Sequence, residues 1–168
     1  DGVLRELARR PERARAESPG RYLARQPALQ VARPAASSWG QGGYGQVWLN
    51  ERTDWIYNHL DRACGQMVAL AASEPAATDL LRRGLNQAGR ELMLAQASDW
   101  AFLVHTRTAP DYAWRRTAEH LTNFQRLAAD LEAGRPDQDL IARLQQRHNL
   151  FPDMDYRIFR SDYGDEAV

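Results

Sequence analysis

Asp79-Leu80-Leu81-Arg82-Arg83-Gly84-Leu85-Asn86-Gln87-Ala88-Gly89-Arg90-Glu91-Leu92-Met93-Leu94-Ala95 is the stretch that decides the fold class of this chain. Leu81, Leu85, Ala88, Leu92 and Ala95 recur at steps of four and three, which on a 3.6-residue helix makes one apolar stripe of about four turns. Gly84 and Gly89 interrupt the stripe, and glycine is tolerated inside a helix chiefly where another backbone packs close. The stretch therefore predicts a buried helix in close contact with its neighbours.

Helical patterns flank it on both sides. Before it, Thr53 or Asp54 can cap a helix carrying Trp55, Ile56, Leu60, Ala63, Met67 and Leu70 on one face, ending near Ser73. Ser73-Glu74-Pro75 then restarts the chain. After it, Thr108-Ala109-Pro110-Asp111 matches a capping box with proline in the first turn. That box opens a helix to about Ala133, with Trp114, Leu121, Phe124, Ala128 and Leu131 on its core side, and Gly134-Arg135-Pro136 closes it. Asp137 caps a last helix through Leu140, Ile141 and Leu144 to His148. The tail, Asn149 to Val168, mixes aromatics with acids and is expected to lie back over the domain. The fold class is thus mainly α and bundle-like, without internal repeats.

Toward the N-terminus the reading is more broken. Gly2 to Arg10 predicts a helix stopped by Pro11, and Ser18-Pro19 opens a short one through Tyr22 and Leu23. Pro27 to Ser38 is a connector in which Leu29 and Val31 alternate as an extended piece would. It delivers the chain to Ser37-Ser38-Trp39-Gly40-Gln41-Gly42-Gly43-Tyr44-Gly45-Gln46-Val47-Trp48-Leu49-Asn50, which packs two tryptophans, a tyrosine and four glycines into fourteen residues. Glycine reaches positive φ freely, so such a loop can bend sharply and hold an aromatic ring out as a binding surface. The alternative is that Trp39 and Trp48 plug the core beside the loop.

Composition narrows the partner. The 168 residues are 43% hydrophobic, enough for one domain with a core and a short appendage. Lys+Arg and Asp+Glu both number 22, and every basic residue is arginine. Without a basic excess or stripe, neither nucleic acid nor an anionic membrane is expected, and a neutral partner is. Cys64 is the sole cysteine, which excludes an internal disulfide and fits a reducing, cytoplasmic setting; its Ala-rich surroundings suggest a small buried thiol. No run of eighteen apolar residues marks a membrane span. Asp1 is not methionine, and Val3, Leu4 and Leu7 already stand at helical spacing, so the chain is expected to be a piece of a longer polypeptide.

Motifs for self-contained chemistry are missing. His59, His105, His120 and His148 are far apart in sequence with no HExxH or paired His/Cys spacing, so neither a metal nor a cofactor is expected. The glycine loop is no Walker loop, a GxGxxG reading fails, and there is no GxSxG elbow. One further segment is informative: Gln96-Ala97-Ser98-Asp99-Trp100-Ala101-Phe102, where an acid stands beside a tryptophan as a helix ends. An indole can cover the apolar face of a sugar ring while a carboxylate accepts hydrogen bonds from its hydroxyls. Alternatively Asp99 caps the next turn and Trp100 fills the core.

Ser37-Ser38-Trp39-Gly40 with Gly43 and Val47-Trp48-Leu49-Asn50, then Glu91 to Trp100, then Asn149-Leu150-Phe151-Pro152 with Asp155-Tyr156-Arg157, resemble the C-terminal part of family-57 glycoside hydrolases. Within that family the resemblance is strongest to the 1,4-α-glucan branching enzymes, over nearly the whole chain. It implies an incomplete parallel (β/α) barrel carrying a glutamate nucleophile and an aspartate acid/base, both upstream of residue 1, followed by an all-helical domain closing over the cleft. Residues 1–36 would be barrel-side helices and connector, a short remnant of the barrel, and residues 37–168 the helical domain. The resemblance thus implies that no catalytic residue falls in this chain. The resemblance places Trp39 and Asp99 on α-glucan-binding positions, Trp48 and Trp100 on aromatics that line or support the same cleft, and Gln41 where many relatives have glutamate. The expected partners are an α-glucan and the upstream barrel of the same polypeptide. An α-amylase or a 4-α-glucanotransferase of the same family, and a helical interaction module without carbohydrate, are the alternatives.

Overall fold

The computed structural model describes residues 2–160. Among them every regular element is helical: α1 (Gly2–Arg9), α2 (Pro19–Ala24), α3 (Asp54–Ser73), α4 (Asp79–Ala95), α5 (Asp99–Thr106), α6 (Pro110–Glu132) and α7 (Gln138–Arg147), with 3-10 turns at Gln41–Gly43 and Tyr156–Phe159. None of these helices is long and apolar enough to cross a membrane. The chain divides into two compact units, Asp1–Ala36 and Ser37–Val168.

In the first unit neither helix buries a residue. The Ser18 hydroxyl caps α2 by accepting from the Arg21 amide at 3.4 Å, with Pro19 in the first turn, as the sequence predicts. The extended piece expected around Leu29 and Val31 forms no strand: Val31 is 96% exposed, and nothing among the described residues pairs with its backbone. Two alternating apolar residues cannot make a strand without a partner edge.

The second unit is built around α4, which packs against α3, α6 and α7, while α5 lies on α6. Its stripe is buried as read, with Leu85, Ala88, Leu92 and Ala95 in one core together with Met67 and Leu70 of α3, Leu121, Phe124 and Ala128 of α6, and Ile141 of α7. Leu81 packs at the margin of that core. The two stripe glycines do mark close packing, but against side chains rather than backbone. A Cβ on Gly84 would lie 2.9 Å from Leu131 Cδ2 and 3.2 Å from Ile141 Cδ1, and one on Gly89 would lie 2.8 Å from the Phe159 ring.

Helix ends depart from the sequence reading in two places. Ala109, not Thr108, is the residue before α6 and no side chain caps that end; the Thr108 hydroxyl pairs instead with Thr106 Oγ1 at 2.9 Å. Thr53 precedes α3, yet its buried hydroxyl donates to the Trp48 carbonyl at 2.6 Å rather than capping the helix. Asp137 caps α7 as predicted, accepting from Asp139 and Leu140 amides at 2.9 Å. Cys64 is only partly buried, its Sγ accepting from Gln96 Nε2 at 3.1 Å.

Trp114 corrects the core list. It is 47% exposed, and its ring stacks on Trp55 with centroids 4.1 Å apart and planes 19° from parallel. At this level of α6 the buried row is Ala113 and Thr117, both fully enclosed, and Trp114 stands on its flank, where the indole finds one partner ring. The tail does return: Met154 and Tyr156 are buried, with the Tyr156 hydroxyl donating to the Glu74 carbonyl and accepting from the Ala77 amide. The remainder of the predicted tail, 161–168, lies outside the described residues.

The glycines give an internal control on packing. Gly65, exposed in mid-α3, has nothing within 4 Å of a new Cβ, so Gly65→Ala is expected to stabilise the domain by about 0.5–1 kcal/mol through helix propensity and backbone entropy. Gly84→Ala gains the same propensity but must displace two core side chains, and overpacking of ~1–3 kcal/mol should win. Urea unfolding of the two variants should therefore shift in opposite directions.

Candidate functional site

Four glycines of the 37–50 loop take left-handed φ values: Gly40 (90°), Gly42 (67°), Gly43 (72°) and Gly45 (78°). The turn they make is closed by Ser38, whose amide donates to the Gly43 carbonyl and whose hydroxyl accepts from the Gly45 amide. At Gly40 the restriction is also steric, since a Cβ there would meet Val47 Cγ2 at 2.8 Å. The loop is thus folded back on itself, with Val47 buried beneath it.

This geometry lifts Trp39 outward. The residue is 69% exposed, and its ring rests on Trp48 (6.0 Å, 61°) and on Phe102 of α5 (5.8 Å, 51°). Trp48 is half-buried, and its indole nitrogen is sealed from solvent without a hydrogen-bond partner among the described residues. The far end of the loop is also pinned to α5: Asn50 Nδ2 donates to the Gln46 carbonyl at 2.9 Å and stands 3.3 Å from His105 Nδ1, while Asn50 Oδ1 accepts from the Arg52 amide at 3.0 Å.

Asp99 opens α5, three residues before Phe102, and is exposed. Ser98 is the residue before the helix, with no side-chain cap bond, so Asp99 is not spent as a cap. Among the described residues no hydrogen bond or ion pair engages its carboxylate. Trp100 differs: its indole N–H donates to the Leu94 carbonyl at 2.8 Å and its ring meets Tyr112 edge-on at 5.9 Å. Of the four residues singled out from the sequence, Trp39 and Asp99 are open to solvent, and Trp48 and Trp100 stand behind the surface.

The second polar constellation is one that sequence spacing missed. Glu91 of α4 is fully buried, and its carboxylate receives four contacts: His148 Nδ1 at 2.7 Å and Gln87 Nε2 at 2.9 Å on Oε1, His120 Nδ1 at 2.7 Å and Asn123 Nδ2 at 3.3 Å on Oε2. Arg116 can only donate, so His120 Nε2, 2.9 Å from Arg116 Nη2, accepts and the ring proton sits on Nδ1 facing Glu91. Arg90 reaches the tail, its guanidinium donating to the Leu150 and Phe151 carbonyls and to Gln87 Oε1. Phe151 is held there at φ 55°, a conformation a bulky residue rarely adopts.

Burial pushes the Glu91 carboxyl up, but the hydrogen bonds from His120, His148 and Gln87 and the charge of His148 outweigh it and hold the group below the usual carboxylate range. Ligand atoms of Glu91, His120 and His148 lie within 4.8 Å of one another, a set a metal could in principle use. The donor geometry argues otherwise. Each imidazole Nδ1 already sits at hydrogen-bond distance from its own carboxylate oxygen, with two guanidinia, Arg90 and Arg116, in the same network. The residues fit a hydrogen-bonded hub.

A signal for it existed. Glu91 occupies the same 4-3-4 row as Gly84, Ala88 and Ala95, and His120 the row of Ala113, Thr117, Phe124 and Leu127. An acid on one core row and a histidine on another each demand a buried partner.

The described residues form a helical bundle that carries an exposed tryptophan on a glycine-built loop and an exposed acid at a nearby helix start. Residues 59–159 match the family described as 1,4-alpha-glucan branching enzyme, C-terminal, and the chain belongs to that family. It is similar to a 1,4-alpha-glucan branching enzyme of Thermococcus kodakarensis, 38% identical over 118 residues that make up 68% of this chain and 18% of that protein. The solved structure of a GH57 branching enzyme from Thermococcus kodakaraensis, in complex with glucose and additives, aligns with a TM-score of 0.78 at 32% identity, covering 95% of this chain and 30% of that one. The alpha-amylase AmyC from Thermotoga maritima aligns with a TM-score of 0.69 at 35% identity, covering 86% and 26%. The chain thus spans about a fifth of the length of the curated relatives it matches.

The hub sets an acid limit on stability. A carboxyl whose pKa is depressed by folding stabilises fully above its unfolded value, near ~4.3, and that contribution is lost as pH falls through the folded value. Glu91→Gln keeps the volume but removes the charge that its donors surround, and should cost about 3 kcal/mol at neutral pH. Urea midpoints measured between pH 7 and 3 should fall less steeply with acid in the variant than in the parent.

Proposed function

We propose that this domain forms the glucan-contacting wall of a 1,4-α-glucan branching enzyme. Its upstream (β/α) barrel supplies a glutamate nucleophile and an aspartate acid/base. Retaining transfer passes through a covalent glycosyl-enzyme that a sugar hydroxyl, rather than water, must attack. A domain that stacks and orients an acceptor chain while excluding water biases that partition toward branching. The observation that carries the reading is Trp39, an indole 69% exposed on a loop that four left-handed glycines hold in shape. An exposed indole braced by Trp48 and Phe102 offers a flat face to the C–H side of a pyranose, and Asp99, one helical turn before Phe102, offers free acceptors for its hydroxyls. Trp48 and Trp100 support these two from behind.

The neutral charge balance suits an uncharged polysaccharide such as glycogen, whose synthesis would be the cellular role. The lone Cys64 suits a cytoplasmic site. A second reading, hydrolysis, draws support from the similarity to an alpha-amylase. Product analysis of the full-length protein separates them: new α-1,6 linkages mark branching, and reducing ends without branches mark hydrolysis.

In the full-length enzyme, Trp39→Ala and Asp99→Ala are each expected to lower kcat/KM for branching of amylose by about 10-fold or more, through lost stacking and lost hydroxyl acceptors respectively. Wild-type kinetics in both folded variants would overturn the assignment.

A further inference from the structure

We propose that the groove between the first turns of α3 and α6, floored by the Trp55–Trp114 stack, is a second holding site for a linear α-glucan segment. The groove has a volume of about 440 Å³ and is bordered by Glu51, Arg52 and Arg107 beside the two indoles. Trp55 is fixed from within, its indole N–H donating to the Arg52 carbonyl at 3.1 Å. Trp114 stacks on it and remains 47% exposed. Two residues 59 positions apart in sequence therefore build one rigid platform with an open aromatic surface.

The polar groups around that platform are unspent. Neither the Glu51 carboxylate nor the guanidinia of Arg52 and Arg107 has a side-chain hydrogen bond or ion pair within the described residues. A flat indole surface with a free acceptor on one side and free donors on another is the equipment for a pyranose ring, whose C–H face is apolar and whose edge hydroxyls both donate and accept. A phosphate-bearing ligand would suit the arginines but would meet Glu51. An uncharged chain uses all three groups without penalty.

The groove also faces away from the Trp39 platform. Val104 lines it while Phe102 seats Trp39, and the two residues are about 200° apart around α5. One short helix thus carries an aromatic surface on each side. A polymer long enough to reach both gains effective concentration from the second contact, whereas a short oligosaccharide gains none. This inference rests on the glucan reading above and adds chain-length selection to it.

The test uses the full-length protein in native gels containing amylose, with branching kinetics on amylose and on maltoheptaose. Trp114→Ala should weaken retardation by amylose about fivefold and raise KM for amylose by a similar factor, with a much smaller change on maltoheptaose. Trp114→Phe should recover part of the loss. Glu51→Ala and Arg107→Ala, both at exposed positions, should shift amylose retardation in the same direction and carry the test if Trp114→Ala does not fold. If Trp39→Ala loses retardation while the groove variants match the parent, the groove is not a glucan site although the domain is. If amylose retards neither parent nor variants, the glucan reading itself fails. A change in sedimentation on Trp114→Ala with unchanged amylose binding would instead mark a protein interface and overturn the proposal.

Discussion

A single buried charge constrains this domain more than any other feature. Glu91 sits one turn before the end of the central helix with no access to water. A carboxylate there is tolerable only if its lone pairs are filled, because desolvation otherwise costs several kcal/mol. The four donors come from three places: Gln87 one turn earlier on α4, His120 and Asn123 on α6, and His148 just past the end of α7. Core rows of Leu and Ala would permit α4 and α6 to slide past one another by a turn at modest cost. His120 and Asn123 do not, because a slide of α6 would strip the carboxylate of both donors at once.

The same network draws in the outer polar residues. Arg116 links His120 to Glu119, which also receives Arg147 at 2.8 Å, so the outer side of α6 and the end of α7 are tied to the buried carboxylate through a chain of polar groups. On the other side, Gln87 passes the network to Arg90, whose guanidinium clamps the 150–151 backbone and holds Phe151 in its unfavourable conformation. Tyr156 then buries itself against the turn between α3 and α4, its amide donating to Asn86 Oδ1 at 2.9 Å. The tail is docked by these polar contacts together with the burial of Met154 and Tyr156.

What the sequence made legible follows from which interactions are periodic. The stripes of α3, α4, α6 and α7 are local repeats of one physical rule, and their core residues fall where the spacing puts them. Trp114 fits the same spacing and still ends half outside, because the row that is enclosed at the start of α6 is Ala113 and Thr117, and apolar spacing alone does not separate that row from its flank. The Thr108 cap failed for a related reason: a hydroxyl has several local partners, and Thr106 was nearer. The hub was invisible as a unit, since nothing local joins positions 91, 120 and 148; only the anomaly of polar residues on core rows pointed to it. The solvent-facing loop was readable in outline through its glycines, whereas its seat on Phe102 and His105 is purely tertiary.

The hub and the exposed face are mechanically linked through the end of α4. Glu91 fixes the rotation and register of that helix, and one turn later the Leu94 carbonyl receives the Trp100 indole N–H at 2.8 Å. That bond, with the Gln96 amide closing on Leu92 at 3.0 Å, sets the bend by which α4 gives way to α5. Asp99, Phe102 and His105 follow on successive turns of α5, so the acid, the seat of Trp39 and the anchor of Asn50 all inherit their positions from the rotation of α4. A platform for a neutral ligand has weak individual contacts and depends on being held in place beforehand, since any freedom left in its side chains must be given up on binding. In the glucan-binding role proposed for Trp39 and Asp99, the stiffness that the two side chains require comes from the interior, through a carboxylate that is itself fully buried.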